Sequence, residues 1–527
     1  MISSEKAEVD HVSYSGGEGP NIQKANQGCP DGQDNTYVVL TVDAGNTSSL
    51  KLANDGKTVL HPQPTEDIND PLNWPSWKKH AILFTTSWGA FTADYTAAAG
   101  SSTVVNQAAE WHQSVSKVNE TNSINVLMMA VGGILWVPMT SVFGRAPTLF
   151  WSSIIALGIC VGTAVVDDFH TFYALRALLG FFTTSVQTTS IALIYDLFFF
   201  HERARKVGLW ALLYIGSPLW GPLVGNFVMG GTGEWRNVCW VSVAVCGFYV
   251  CLIVAFLDET WYDRNLSTSE QPSRHSNFIS RLSRLTGVWE VRNRFYYEKV
   301  DQAYKRFART VIKPALFLVL VCYMLIFAWA IGINISAAIL FATPNEFGGY
   351  GYSHYTVGYI YFAPIVAIVF GEIFGYFFND YLVRRYTHKH HGLFQPETRL
   401  NMVYVSSIPM IGGLILLGQA LAHRLSVVAV IFGWGLHNFG IMTTSVAIST
   451  YAADCYPEVA AEVSGWINFA RAIGGFSVGY FQESWGRKVG YDGSFGTQAA
   501  IVAFAAMLVG VVHYYGHSWR LKSGPVC

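Results

Sequence analysis

The chain has 527 residues, 51% of them hydrophobic and only 13% charged, where a soluble domain carries roughly 25% charged residues. Its formal net charge of −1 leaves no electrostatic footprint for nucleic acid or a strongly anionic partner. No nucleotide-binding Gly-x-x-x-x-Gly-Lys-Ser/Thr loop, zinc-ligand spacing or nucleophile elbow is present, which argues against an enzyme, a bound metal or cofactor, and ATP as a built-in drive.

Residues 1–70 are rich in Gly, Asn, Asp, Ser and Thr without sustained periodicity and read as a disordered tail. The tail ends at Asp70-Pro-Leu-Asn-Trp-Pro-Ser-Trp-Lys-Lys79, where two tryptophans and two lysines flank the first apolar run, as an interfacial anchor requires. A hydrocarbon core roughly 30 Å thick takes about 20 apolar residues per helical crossing. Runs of that length fall at 80–101, 122–142, 148–166, 171–195, 207–229 and 237–257, giving a first six-helix half over 71–257. A charged connector, 258–313, follows. The second half, 314–516, holds runs at 315–341, 355–378, 400–422, 426–450, 459–481 and 497–516, and a short tail, 517–527, closes the chain. Lipid-exposed backbone must satisfy its own hydrogen bonds, so these runs are expected to be helices. The fold class is an all-α membrane protein of twelve transmembrane helices in two halves, the plan of a secondary transporter built from repeats.

Loop charges set the orientation. The connector carries eleven Lys and Arg from Arg264 to Lys313, and further basic loops lie at His201–Lys206 and at Arg384-Arg385 to Lys389. The alternating loops, such as Asp167-Asp168-Phe169-His170, carry few cations. Excess positive charge stays inside, placing the connector and both termini in the cytoplasm. The mixed aromatic and basic stretch Arg281–Arg309 is read as a solvated basic loop, with a helix on the anionic inner leaflet as the alternative. Cysteines inside apolar runs (Cys160, Cys246, Cys251, Cys322) read as buried free thiols. Asn119-Glu-Thr121 is the one sequon on an outer loop, close to the start of the second run, which is sterically awkward for glycosylation.

Several motifs carry mechanism. After the second run stands Pro138-Met-Thr-Ser-Val-Phe-Gly144-Arg145-Ala-Pro147, and after the eighth Asn379-Asp380-Tyr-Leu-Val-Arg384-Arg385. Both resemble the loop signature of the major facilitator superfamily, whose core is Asp-x-x-Gly-Arg-Arg. The copies are degenerate in complementary ways: the first has Ser141 where the acid belongs, the second has Val383 for glycine. In the fifth run, Gly216-Ser-Pro-Leu-Trp-Gly221-Pro222-Leu-Val-Gly225 suits close helix packing. Its Gly-Pro-x-x-Gly also resembles the motif of the superfamily's proton antiporters. Arg176, in the Arg-x-x-x-Gly of the fourth run, resembles a motif linked to proton transfer and is expected to tune a neighbouring carboxylate. Together with Asp70-Pro-x-Asn-Trp74, His201-Glu-Arg-x-Arg205, Asp258-Glu-Thr-Trp-Tyr-Asp-Arg264 and Gln395-Pro-Glu-x-Arg399, these resemble the fungal twelve-crossing drug:proton antiporters, including their polyamine and multidrug carriers.

Ionisable residues at membrane depth are the candidates for proton and substrate handling. Asp94 lies in the first run and Glu372 in the eighth. Either carboxylate suits competition between a proton and a cationic group. Gln187, Trp220, Trp329, Asn334 and Asn438 are candidates to line a cavity, with Trp434, His437 and Asn468. Arg471 stands beside Asn468 without an assignable role. The resemblance implies a proton-coupled carrier that exports small organic molecules, cationic or amphipathic, by alternating access. A proton symporter importing polyamines or a nutrient, and a non-transporting membrane sensor, are the alternatives. Expected partners are the substrate, protons and the bilayer, with the chain a monomer in the plasma membrane or, as the alternative, the vacuolar membrane.

Overall fold

The computed structural model describes residues 38–39, 51–53, 60–264, 266–275, 277–342, 350–390 and 393–524; most of the tail read as disordered lies outside them. Twelve long helices dominate. The first six are α1 (Ser76–Ala99), α2 (Val115–Phe143), α3 (Arg145–Val165), α4 (Phe169–Leu197), α5 (Phe200–Thr232) and α6 (Trp235–Phe256). The second six are α7 (Pro314–Ala342), α8 (Phe362–Lys389), α9 (Asn401–Ala422), α10 (Val427–Cys455), α11 (Ala460–Val489) and α12 (Tyr491–Ser523). By length and composition ten are apolar enough to cross a membrane; the exceptions are α1 and α11, which carry Asp94 and Arg471.

Local chemistry sets the helix ends. Ser114 and Asp168 cap α2 and α4 by accepting from the backbone N–H groups of Lys117 and Thr171, each three residues on, as N-caps do. Between α2 and α3 the chain turns at Gly144 with φ +87°, a conformation that only glycine adopts without strain. A side chain there would also stand 2.7 Å from Glu259 Oε2.

The two halves repeat one packing scheme. α1 packs on α5, α2 on α4 and α3 on α6; α7 packs on α11, α8 on α10 and α9 on α12 in the same order. The halves meet along α2 with α11, α4 with α11, and α5 with α8. This places the inward faces of α1, α5, α7 and α11 around one central space.

The connector is folded and docked against one end of the bundle, called here the basic face. It forms short helices at Phe278–Thr286, Val288–Arg292 and Val300–Val311. Asp258 is its anchor, accepting from Arg284 Nε at 2.8 Å and Lys78 Nζ at 3.0 Å. Burial pushes the Asp258 carboxyl up, but hydrogen bonds and charge from Arg284 and Lys78 outweigh it and hold it below the usual range. Glu259 accepts from the backbone N–H of Ala146 at 3.0 Å, at the start of α3, where a carboxylate is favoured by the helix dipole. Arg294 donates to the carbonyl of Val142 at 2.7 Å, and Phe307 stacks on Trp466 at 4.7 Å. The basic stretch is thus not a loop in solvent alone: its cations reach into the bundle.

Glu290 is the odd member of this docked layer. It is buried, and neither carboxylate oxygen has a hydrogen-bond partner among the described residues. Burial, then the neighbouring Glu259 charge, push it up to about 9. Between the unfolded carboxyl range and that value the folded state holds a proton the unfolded chain has lost. Stability from this group is therefore full at low pH and falls as pH rises, by up to about 1.4 kcal/mol per pH unit. Glu290→Gln is expected to flatten this dependence and raise the thermal midpoint at pH 8, measured by scanning fluorimetry across pH.

Candidate functional site

Asp94 projects from α1 into the middle of the bundle and meets Arg471 of α11. The contact is bidentate: Nη1 to Oδ2 at 2.7 Å and Nη2 to Oδ1 at 3.2 Å. Arg471 is 2% exposed and Asp94 6%, so the pair lies out of water. Arg471 Nη2 also donates to Asn468 Oδ1 at 3.2 Å, which accepts from Tyr214 Oη at 2.8 Å, while Asn468 Nδ2 donates to Thr184 Oγ1 at 2.9 Å. The guanidinium is flanked by the rings of Tyr214 and Phe327, at 4.3 and 5.4 Å from their centroids. Cation–π contact of this kind is worth more when desolvated. Five helices, α1, α4, α5, α7 and α11, contribute to this one cluster.

The pair crosses the boundary between halves. Desolvating two charges costs about as much as their attraction returns, but removing one partner strands a buried charge at about 3–5 kcal/mol. The arrangement is therefore a weak source of stability and a strong sensor of whether both charges are present. Beside it opens a cavity lined by Asp94, Arg471, Ser101, Asn122, Asn334, Asn438 and apolar side chains from both halves.

Contacts between the halves flank the cavity toward both faces. Toward the basic face, Arg205 of α5 pairs with Asp380 of α8 at 2.7 Å. Tyr195 Oη of α4 donates to Asp454 Oδ1 of α10 at 2.7 Å, and Arg399 Nε donates to the other oxygen at 2.7 Å. Arg306 of the connector reaches both halves, pairing with Glu462 of α11 and donating to Ser141 Oγ of α2 at 3.1 Å. Toward the opposite face, His354 Nδ1 lies 3.0 Å from Asn226 Oδ1, and Phe227 packs edge-on to Tyr359 at 5.3 Å. The exposed Arg205–Asp380 pair is worth little, roughly 0–1 kcal/mol; the buried Tyr195–Asp454 contact is the stronger fastening. Tyr195→Phe removes only that inter-half bond and is expected to shift the balance toward opening of the basic face by about 2 kcal/mol. Distances between spin labels on the basic-face ends of α4 and α10 would lengthen.

The sequence motifs resolve into distinct jobs. The first loop does obtain carboxylates, though not from position 141: Arg145 pairs with Asp196, and Glu259 takes the N–H of Ala146. In the second, Asp380 serves the inter-half pair with Arg205, Arg384 stands 3.9 Å away, and Arg385 donates to Tyr381 Oη at 3.2 Å. Gly221 lets α5 lie directly on α1, since a Cβ there would meet Tyr95 O at 2.6 Å and Ala99 N at 2.7 Å. Gly225 does the same against Ser102, whereas Gly216 faces only the Trp220 ring at 4.0 Å. Pro222 lies between them inside α5, which continues as a helix to Thr232.

Arg176 corrects an expectation. Among the described residues no carboxylate is a hydrogen-bond partner of it; Nη1 donates to Thr96 O at 2.7 Å, and Nη2 to Ala97 O at 2.6 Å and Asn122 Oδ1 at 2.8 Å. It caps the last carbonyls of α1, where a cation complements the helix dipole, and so fixes the end of the helix that carries Asp94. Asn334 and Asn438 do line the cavity. Gln187 is buried one layer away, its Nε2 3.5 Å from Ala90 O. Trp329 is buried outside the cavity, 6.3 Å from Trp485. Trp220 is 37% exposed on the outer side of α5 and takes no part. Glu372 also lies off the cavity, its carboxylate resting on the bare backbone at Gly208 in the seam between α5 and α8. The Asn119 side chain is buried and accepts from Asn122 at 3.1 Å, so it is not presented for glycan attachment. The residue that sequence reasoning left without a role is Arg471. Its signal was an arginine inside an apolar run, the same signal that singled out Asp94.

Known proteins agree with this architecture. The Major Facilitator Superfamily family model matches residues 83–479. A citrinin biosynthesis cluster transporter, mrr1, of Monascus ruber is 25% identical over 472 residues, covering 86% of this chain and 89% of that protein. Efflux pump radE of Floropilus chiversii is 23% identical over 470 residues, covering 87% and 84%. Among solved structures, the proton:xylose symporter XylE bound to 6-bromo-6-deoxy-D-glucose shares the fold with a TM-score of 0.59 at 15% identity, over 82% of this chain and 95% of that one. The chain belongs to the major facilitator superfamily: it is a multi-pass membrane transporter of small molecules and not an enzyme.

Proposed function

We propose that this chain is a proton-coupled antiporter that exports small amphipathic or cationic organic molecules, with Asp94 as the proton-binding carboxylate. The observation that carries the reading is the buried Asp94–Arg471 pair, one charge from each half, in the wall of the central cavity. A proton arriving at Asp94 removes the negative charge that holds Arg471. The pair then no longer fastens α1 to α11, and the halves are free to rock. A ligand shifts such an equilibrium only through its differential affinity for the two states; the proton has one, because the intact pair leaves it no place. Arg176 keeps α1 in position, and Asn334 and Asn438 face the substrate. Relatives named as efflux pumps support export. The basic face is read as cytoplasmic, from its Lys and Arg, which puts both termini inside a cell whose plasma membrane holds the protein.

The test is flux through the full-length protein in proteoliposomes with an imposed pH gradient. A fluorescent uncharged amphipathic compound is expected to move against the proton gradient in vesicles that hold the protein, not in empty ones, and to stop when a protonophore collapses the gradient. Flux indifferent to the protonophore overturns the coupling; accumulation in the direction of proton entry overturns antiport.

A further inference from the structure

We infer that the central cavity selects uncharged amphipathic molecules, with a hydrogen-bond acceptor at one end and a donor at the other, over permanent cations and anions. This rests on the cavity being the transport site and narrows its substrates.

Charge balance is the first ground. Asp94 and Arg471 are the only ionisable groups among the described residues lining the cavity, and they neutralise each other in bidentate contact. A cation reaching Asp94 must displace Arg471 or sit against it, leaving two positive charges around one carboxylate. An anion approaching Arg471 finds both Nη groups already engaged by Asp94 and Asn468. In a site out of water, neither arrangement is compensated.

Two unmade hydrogen bonds are the second ground. Arg471 Nε, a donor, and Asn334 Oδ1, an acceptor, are buried without partners among the described residues, although Asn334 Nδ2 is fixed by the carbonyl of Pro218 at 2.7 Å. Buried polar groups are seldom left so. A ligand that accepts from Nε and donates to Oδ1 gains what the empty protein forgoes. The two groups lie along one wall: Phe327 of α7 packs on Arg471, and Asn334 is seven residues, about two turns, further along the same helix. Between them the wall is apolar, with Ile331, Ile215 and Leu219.

The test uses three fluorescent analogues on the purified full-length chain at neutral pH. One is an acetylnaphthol with hydroxyl and ketone at opposite ends of the ring system. The second has trimethylammonium in place of the hydroxyl, and the third carboxylate in place of the ketone. The naphthol is expected to bind about ten-fold or more tightly than either charged analogue. Asp94→Asn leaves the lining with a net positive charge and is expected to turn the preference toward the carboxylate. Arg471→Gln is expected to turn it toward the ammonium. Equal or tighter binding of a charged analogue by the unmodified protein overturns the inference, as does binding of none of the three. These are equilibrium measurements at one pH without a gradient. Protonophore-insensitive flux with the naphthol preference intact would remove the coupling proposal and leave this one standing.

Discussion

Asp94→Asn is expected to reduce gradient-driven transport to the level of empty vesicles while the protein still reaches the membrane. The amide keeps the shape but takes up no proton, and it leaves Arg471 buried without its counter-charge. Stranding either partner costs about 3–5 kcal/mol, so Asp94→Asn and Arg471→Gln should each lower the thermal midpoint. The double variant Asp94→Asn/Arg471→Gln has no stranded charge and is expected to recover most of that loss. Transport should stay absent in it, because a neutral pair has nothing to protonate. Stability restored with activity lost separates coupling from folding. Coupled flux of unmodified rate and pH dependence in Asp94→Asn would sink the assignment.

The second large effect is expected at Gly221. A Cβ there meets the backbone of α1 at three atoms, Tyr95 O, Ala99 N and Ala98 C, all within 3.2 Å. Backbone does not step aside as a flexible side chain does, so Gly221→Val must push α5 off α1 and drag Asp94 from Arg471. Overpacking typically costs 1–3 kcal/mol, and here about 3 or more is expected because the contact is with main chain. The readout is the fraction eluting as a monodisperse peak after detergent extraction, which should fall sharply. Gly216→Ala is the control: with only a ring at 4.0 Å, it should behave as the unmodified chain.

Much of this architecture could be read from the chain because hydrocarbon imposes length and polarity rules that few sequences satisfy by accident. Asp94 was legible for the same reason: a carboxylate among Phe, Ala and Thr needs a partner or a task. Its partner was not, since Arg471 lies 377 residues away and nothing local announces the meeting. Trp220 shows the converse limit. In a membrane protein both the lipid side and the packed side of a helix are apolar, so the pattern that turns a soluble helix inward gives a tryptophan no direction. Arg176 was expected beside an acid because charge suggests charge. The structure gives it main-chain carbonyls instead, visible only once α1 is known to end at Ala99. The first loop lacked its acid in sequence and finds Asp196 and Glu259 in space. The motif is therefore kept in chemistry though not in spelling.

The distance along the chain between Asp94 and Arg471 has a consequence for biosynthesis. Ribosomes add roughly 5–20 residues per second, so α1 is made on the order of tens of seconds before α11. Throughout that interval the carboxylate is in or near the bilayer without its guanidinium, on a helix already too polar to be a strong insertion signal. The other helices of the first half must shelter it until the second half arrives. The ion pair is thus a late checkpoint of assembly. A chain truncated before α11 exposes an unpaired charge inside the membrane, which is what membrane quality control is placed to detect.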